Sequence, residues 1–156
     1  MTDKPLEVLV VDDDVSVRRV IARILEREGV STTQAEDGQD ALNKYVSRLY
    51  KEGKPFDAIL TDLTMPILDG AELTGRVKMT TPSTQVIVIT GYEATEEYQR
   101  LKEKLGQAIP DGILTKPITA EELKHALNQI KFVIETRKTN PHYKPEPLSY
   151  KLAAQS

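Results

Sequence analysis

The stretch Ala58–Gly70, which reads AILTDLTMPILDG, decides the fold. It begins with a short and largely apolar run, as expected of a strand that is covered on both faces of a parallel sheet. Asp62 stands at the carboxyl end of this run, before a loop marked by Met65-Pro66. Asp69 and Glu72 then fit an N-cap and its reciprocal partner for the following helix. The stretch therefore predicts one strand–loop–helix unit with a carboxylate at the end of its strand.

The same unit recurs along the chain. Apolar runs of strand length alternate with segments whose apolar residues recur at helical spacing. The predicted strands are residues 6–11, 30–35, 58–61, 85–90 and 113–114. Thr119 and Glu122 fit a capping box at the start of the last helix. A strand followed by a helix, repeated five times, predicts an α/β fold: a doubly wound five-stranded parallel sheet with helices on both faces.

Composition narrows the class of protein. The 156 residues correspond to about one ordinary domain. The absence of cysteine excludes disulfides, thiol catalysis and cysteine-bound zinc. Because the net charge is −3, no direct nucleic-acid binding is expected. No apolar run reaches the ~18 residues that span a bilayer, so we expect a cytoplasmic protein without a membrane segment.

Polar side chains gather where the predicted strands end. In an open parallel sheet, ligands bind beyond the carboxyl ends of the strands. The sequence places Asp12, Asp13, Asp62, Thr90 and Lys116 there. Each residue alone has an ordinary explanation, since an aspartate after a strand is usually a turn former or a helix cap. Together, the carboxylates would repel one another unless a cation lay among them, and Mg²⁺ suits such oxygen ligands.

Four short motifs resemble the receiver domains of bacterial response regulators. They are Val10-Val11-Asp12-Asp13, the run from Thr61 to Gly70, Val88-Ile89-Thr90-Gly91 and Thr115-Lys116-Pro117. The motifs stand in the order in which that family has them, and the resemblance extends over about Leu6 to Arg137. It implies a CheY-like, flavodoxin-like fold with the strand order 2-1-3-4-5.

The resemblance implies a role for each aspartate. Asp62 matches the phosphoacceptor, a carboxylate nucleophile that takes a phosphoryl group from a sensor histidine kinase or a phosphotransfer protein. Asp12 and Asp13 match the acidic pair that holds the cofactor Mg²⁺. Asp62 itself and the backbone carbonyl of Thr64 are implied to complete the set of protein ligands.

Two further residues are implied to act on the phosphoryl group. Lys116 matches the lysine that pairs with it as a compact positive charge. Thr90 matches the hydroxyl that hydrogen-bonds it. Family members usually have a cis bond before the proline that follows the lysine, which implies a cis Lys116-Pro117 bond. The chain departs from the family at Ile113, where many members carry an aromatic switch residue.

The resemblance implies a signalling domain and not a turnover enzyme, because the chain would catalyse only the phosphorylation and dephosphorylation of its own aspartate. Phosphorylation would shift the domain between two conformations, and so signal to a downstream effector or to an output domain. Relatives commonly dimerise through the fourth helix, fifth strand and fifth helix. A homodimer on activation is thus an option that the sequence pattern does not decide.

The sequence divides into a receiver domain over residues 1–138 and a flexible tail, or the start of a linker, over residues 139–156. The second segment contains three prolines and few apolar residues, a composition typical of a chain without a packed core. The chain is therefore either a stand-alone regulator or a fragment of a longer one. The prolines slightly favour the fragment.

A haloacid dehalogenase-type phosphatase is the alternative enzyme. Asp12-Asp13-Asp14 loosely matches the Asp-x-Asp motif of that family, with Asp12 as the nucleophile. That family also needs a second acidic pair after its lysine. Here only Glu121 and Glu122 follow, inside a predicted helix start. The phosphatase also leaves Asp62 and the residues after it unexplained.

Overall fold

The computed structural model describes residues 4–146 of the chain, in which five strands and five helices alternate. The strands are β1 Glu7–Val11, β2 Ser31–Ala35, β3 Ala58–Asp62, β4 Gln85–Thr90 and β5 Gly112–Thr115. The helices are α1 Val15–Arg27, α2 Gly38–Glu52, α3 Gly70–Thr80, α4 Ala94–Leu105 and α5 Ala120–Arg137. Each strand predicted from the sequence is present at its place in the chain.

The strands form a parallel sheet in the order β2-β1-β3-β4-β5. This confirms both the predicted doubly wound sheet and the strand order implied by the family resemblance. Val11 at the end of β1 lies opposite Ala35 of β2 and Thr61 of β3. Asp62 lies opposite Ile89 of β4. The carboxyl ends of the strands therefore meet at one edge, which brings together the polar residues that end or follow them.

Helices cover both faces of the sheet, and each face has its own apolar cluster. Side chains of α2, α3 and α4, such as Tyr45, pack on one face. Side chains of α1 and α5, such as Ile21, pack on the other. Along β1, Leu9 belongs to the first cluster and Val10 to the second, because successive strand residues point to opposite faces. None of the helices within residues 4–146 has the length and apolar character needed to cross a membrane.

Side-chain caps fix where the helices begin. Thr119 and Glu122 form the predicted capping box of α5, since each side chain accepts the amide of the other residue, at 3.1 and 3.3 Å. Asp69 caps α3 by accepting the Glu72 amide at 2.8 Å. The Glu72 carboxylate, predicted to return a bond to the Asp69 backbone, instead lies 3.9 Å from Arg76 Nη2, one turn further along the helix.

Residues 139–146 fold back against α5. Arg137 Nε donates to the Tyr143 carbonyl at 3.1 Å, and its Nη1 donates to the Ser83 carbonyl at 3.3 Å. The Tyr143 ring packs edge-on against Phe132, with 6.0 Å between the ring centroids. The division into a domain over 1–138 and a tail or linker over 139–156 stays a prediction. Residues 147–156 lie outside the described part of the chain.

Ile67, in the loop between β3 and α3, has a left-handed backbone conformation with φ of 73° and is 79% exposed. A β-branched residue is strained in this conformation, whereas glycine adopts it freely. We expect Ile67→Gly to raise the free energy of unfolding by about 0.5–1 kcal/mol, measured by urea denaturation. The control Ile67→Ala keeps a Cβ and should gain less. A loss of stability in Ile67→Gly would contradict the assignment of strain.

Candidate functional site

Three aspartates meet at the carboxyl edge of the sheet. Asp12 directly follows β1, Asp13 is next in the chain, and Asp62 is the last residue of β3. One carboxylate oxygen from each lies within 4.8 Å of those of the other two. Asp12 is 1% exposed and Asp62 is 8% exposed, whereas Asp13 is open to solvent. The structure therefore brings the three predicted carboxylates together, with two buried and one accessible.

Backbone contacts hold Asp12 after β1 has ended. Its amide donates to the Ala35 carbonyl at 3.2 Å, so β2 continues to support the chain at this point. Its Oδ1 accepts the Asp14 amide at 2.8 Å. Asp14 in turn caps α1, because its Oδ1 accepts the amides of Ser16 and Val17. The turn from β1 into α1 is thus closed by the side chains of its own aspartates.

The backbone that carries Asp62 lies directly under the start of α3. The Gly70 amide donates to the Leu63 carbonyl at 2.8 Å. A Cβ at Gly70 would lie only 2.3 Å from the Asp62 carbonyl oxygen and 2.9 Å from the Leu63 Cα. Only glycine allows this approach without a shift of backbone. Gly70, the last residue of the deciding stretch, therefore has a steric role beside Asp62.

Lys116 contacts both buried aspartates. Its Nζ lies 3.2 Å from Asp12 Oδ2 and 3.4 Å from Asp62 Oδ1. The Lys116 amide donates to the Thr90 carbonyl at 2.7 Å, which ties the chain after β5 to the end of β4. The Lys116-Pro117 bond is cis, as the family resemblance implies. Lys116, which directly follows the edge strand β5, therefore brings a positive charge to the carboxylates.

The electrostatics of the site are dominated by burial of like charges. Burial raises the pKa of the Asp62 carboxyl, and the Asp12 carboxylate raises it further against the opposing attraction of Lys116. Burial alone would lower the pKa of the Lys116 ammonium, but Asp62 and Asp12 outweigh it, so that pKa is raised. The ammonium thus relieves the repulsion between the carboxylates only in part. A bound cation would relieve the rest.

The other predicted residues surround this cluster. Thr90 ends β4 and is 1% exposed, and its Oγ1 accepts the Tyr92 amide at 3.1 Å. Thr64 is exposed in the loop two residues after Asp62. Ile113, at the position of the family's aromatic switch residue, is fully buried in the same apolar cluster as Tyr98 of α4. The three aspartates lie together, and Lys116 contacts two of them. Thr90 lies at the end of the adjacent strand β4, and Thr64 lies in the loop that follows β3.

The donor set fits Mg²⁺. Carboxylate oxygens are hard ligands, and Mg²⁺ is commonly held by one or two carboxylates with water and phosphate oxygens in the remaining positions. Oxygens of Asp12, Asp13 and Asp62 within 4.8 Å of one another can share one small cation. Burial, and after it the Asp12 carboxylate, raises the pKa of Asp62, so a cation bound at this point would stabilise its ionised form.

Arg18 of α1 also belongs to the site and was not predicted from the sequence. Its Nη1 donates to the Asp12 carbonyl at 2.9 Å, and its Nε donates to Gln34 Oε1 at 3.1 Å. A side chain that binds a backbone carbonyl leaves no residue-type pattern to recognise.

The proteins that are similar to this chain in sequence include response regulators and a sensor kinase. A model of the response regulator receiver domain matches residues 8–128. Response regulator MprA of Mycobacterium sp. (strain KMS) is 32% identical over 142 residues, which are 91% of this chain and 55% of that protein. Autoinducer 1 sensor kinase/phosphatase LuxN of Vibrio harveyi is 29% identical over 120 residues, which are 77% of this chain and 13% of that protein. The chain thus spans only part of the length of these relatives.

Solved receiver domains share the fold. A response regulator receiver domain protein from Clostridium thermocellum superposes with a TM-score of 0.69 at 25% identity, covering 86% of this chain and 98% of that chain. Chemotaxis response regulator CheY4 of Vibrio cholerae gives a TM-score of 0.68 at 29% identity, covering 81% and 98%. With the strand order and the family match in agreement, the chain belongs to the response regulator receiver domain family of two-component systems.

Proposed function

We propose that this chain accepts a phosphoryl group on Asp62 from a histidine kinase or a phosphotransfer protein, in a Mg²⁺-dependent reaction. The observation that carries the proposal is the cluster of Asp12, Asp13 and Asp62, with Lys116 in contact with two of the three. Membership of a family of signalling domains supports it. On this proposal the chain is a switch and not a turnover enzyme.

The proposed chemistry is an in-line transfer. An Asp62 carboxylate oxygen forms the new bond to phosphorus while the bond from phosphorus to the donor atom breaks. Mg²⁺ held by Asp12, Asp13, Asp62 and the Thr64 carbonyl would supply positive charge against the phosphoryl oxygens. The Lys116 ammonium, already 3.4 Å from Asp62 Oδ1, would pair with the group once it is attached.

We assign to Thr90 the step that carries phosphorylation into the rest of the domain. Its hydroxyl accepts the Tyr92 amide at 3.1 Å and still has its own proton to donate to a phosphoryl oxygen on Asp62. That hydrogen bond would draw the loop before α4 toward the site. Tyr98 of α4 packs in the same apolar cluster as Ile113, so a movement of α4 would repack this cluster. The resulting population shift is what an effector, an output domain or a second copy of the chain would detect.

An apolar groove beside the three aspartates is the proposed contact surface for the phosphodonor. A donor atom must reach Asp62, so the donor protein has to bind next to the aspartates. The groove is lined by Val17, Val20 and Ile21 of α1 and by Pro117 and Ile118, next to Lys116. Val20 is 56% exposed, although it is apolar. A kinase or phosphotransfer protein that buries this groove would place its phosphoryl group next to the three aspartates. We also propose that the protein is cytoplasmic.

The contacts of Asp14 weigh against a haloacid dehalogenase-type phosphatase. In an Asp-x-Asp motif that began at Asp12, Asp14 would have to serve as the second acid. Its carboxylate instead accepts the amides of Ser16 and Val17 at 2.9 and 3.2 Å, which makes it the cap of α1. We therefore assign the nucleophile to Asp62 and a metal-binding role to Asp12.

The test is uptake of phosphate from a small phosphodonor. With acetyl phosphate and Mg²⁺, the intact protein is expected to gain the mass of a single phosphoryl group. With EDTA in place of Mg²⁺, the rate should fall by about 100-fold or more, because charge stabilisation by a metal is worth several kcal/mol. Failure to gain mass with Mg²⁺ present, or an uptake that EDTA leaves unchanged, would contradict the proposal.

A further inference from the structure

Arg18 reaches from α1 to the turn that carries the two metal-binding aspartates. Its guanidinium makes two contacts with different partners: Nη1 with the Asp12 carbonyl at 2.9 Å and Nε with Gln34 Oε1 at 3.1 Å. A guanidinium is a planar donor with a fixed fork, so two bonds to separate partners fix their relative position. Arg18 therefore links the end of β1 to the neighbouring edge strand β2.

The carbonyl that Arg18 binds belongs to the peptide unit between Asp12 and Asp13. Because a peptide unit is planar, holding its oxygen fixes the direction in which the chain enters Asp13. The other polar groups of Asp12 are already bound: the amide by Ala35, Oδ1 by the Asp14 amide and Oδ2 by Lys116. Those contacts orient Asp12 itself. The contact from Arg18 is the one that acts on the link to Asp13.

The anchor at Gln34 is itself held in place. The Gln34 carbonyl accepts a hydrogen bond from Lys44 Nζ at 2.6 Å, and the same ammonium lies 3.1 Å from Asp40 Oδ2. Asp40 Oδ2 also accepts the Glu36 amide at 3.1 Å. The backbone of Gln34 is thus fastened to α2, so the strand that carries the Oε1 acceptor of Arg18 is supported from its other side.

We propose that Arg18 is a positioning residue that holds the peptide between Asp12 and Asp13 in the orientation needed to bind Mg²⁺. This inference rests on the proposed function, since it concerns the same metal site. A positioning role for Arg18 and a simple effect of its charge predict opposite changes in the affinity for Mg²⁺. A positive charge near the site should weaken cation binding by repulsion, whereas a positioning contact should strengthen it.

The substitution Arg18→Lys separates these two effects, because lysine keeps the charge but cannot provide the fork. Titration of the full chain with MgCl₂ by calorimetry gives the dissociation constant. We expect Arg18→Lys to weaken Mg²⁺ binding about 10-fold, the size typical of lost outer contacts to metal ligands. Gln34→Leu, which removes the anchor and leaves Arg18 intact, should weaken it in the same direction. Arg19→Lys, on an exposed position of the same helix, is the matched control and should bind as the wild type does.

Two readouts distinguish positioning from general damage to the fold. The urea midpoint of Arg18→Lys without Mg²⁺ should stay close to that of the wild type, and saturating Mg²⁺ should restore its rate of phosphorylation by acetyl phosphate. Wild-type Mg²⁺ affinity in Arg18→Lys, or tighter binding in Arg18→Met, would overturn the inference and leave the proposed function standing. Failure of the wild type itself to bind Mg²⁺ would overturn both.

Discussion

Asp62→Asn is expected to abolish phosphate uptake and, in the same protein, to raise the stability of the metal-free fold at neutral pH. The first effect follows because an amide cannot act as the carboxylate nucleophile. The second follows because Asp62 is 8% exposed and lies beside the Asp12 carboxylate, so its ionised form is disfavoured by the fold. Loss of activity with a gain of stability cannot result from misfolding.

The pH dependence of this gain has a definite sign. The pKa of Asp62 in the native state is raised above the ordinary carboxyl value of 3.8, which applies to the unfolded state. Between the unfolded-state pKa and the native-state pKa, the native state therefore binds more protons than the unfolded state. The stability of the wild type therefore falls as pH rises through this interval, and asparagine removes the loss. The advantage of Asp62→Asn should be present above the interval and absent below it.

Thermal unfolding in EDTA across the pH range measures this advantage. We expect a higher melting temperature at neutral pH, and each kcal/mol gained would appear as about 2–4 °C in a domain of this size. Asp14→Asn is the matched control. Asparagine caps a helix about as well as aspartate, so this variant should keep both its stability and its phosphate uptake. Phosphate uptake by Asp62→Asn, or a lower melting temperature at neutral pH, would contradict the assignment.

Gly70→Ala is expected to give the second large effect, on stability and on phosphorylation together. The added Cβ would lie 2.3 Å from the Asp62 carbonyl oxygen, so the start of α3 or the end of β3 has to move. Overpacking of this kind costs about 1–3 kcal/mol, and contact with backbone places it at the upper end. Displacement of a reacting group by about 1 Å can cost about 100-fold in rate. The rate of phosphorylation by acetyl phosphate should fall to that extent.

Gly75→Ala provides the control within the same helix. A Cβ there would meet only Leu105 Cδ2, at an ordinary contact distance of 3.7 Å. Because alanine favours a helix interior over glycine by about 1 kcal/mol, this variant should be as stable as the wild type or more stable. Its phosphorylation rate should not change. Equal behaviour of Gly70→Ala and Gly75→Ala in urea denaturation and in rate would show that the close approach to Asp62 is unimportant.

The sheet and its acidic edge could be predicted from the sequence because both depend on which residues follow which strand. Strands covered on both faces appear as nearly continuous apolar runs, as in β3 and β4. Once five parallel strands are in place, the residues at their carboxyl ends must meet. The grouping of Asp12, Asp62 and Lys116 follows from that topology, while their individual roles came from the resemblance to receiver domains.

Contacts that depend on a choice between equivalent partners could not be predicted. Glu72 can bind the Asp69 backbone or pair with Arg76, and the spacing allows both, but the structure has the pair with Arg76. Arg18 binds a backbone carbonyl and a side chain on another strand, so its partners become neighbours only in the fold. Ile67 has a left-handed backbone conformation that its residue type disfavours, so the sequence points away from it.

The most direct measurement is to locate the phosphoryl group in the protein after reaction with acetyl phosphate and Mg²⁺. Reduction with borohydride converts a phosphorylated aspartate into homoserine, which peptide mass spectrometry identifies at a single position. The modification is expected at Asp62 alone, and only when Mg²⁺ is present during the reaction. Modification at Asp12, or at neither residue, would contradict the assignment of Asp62 as the phosphoacceptor.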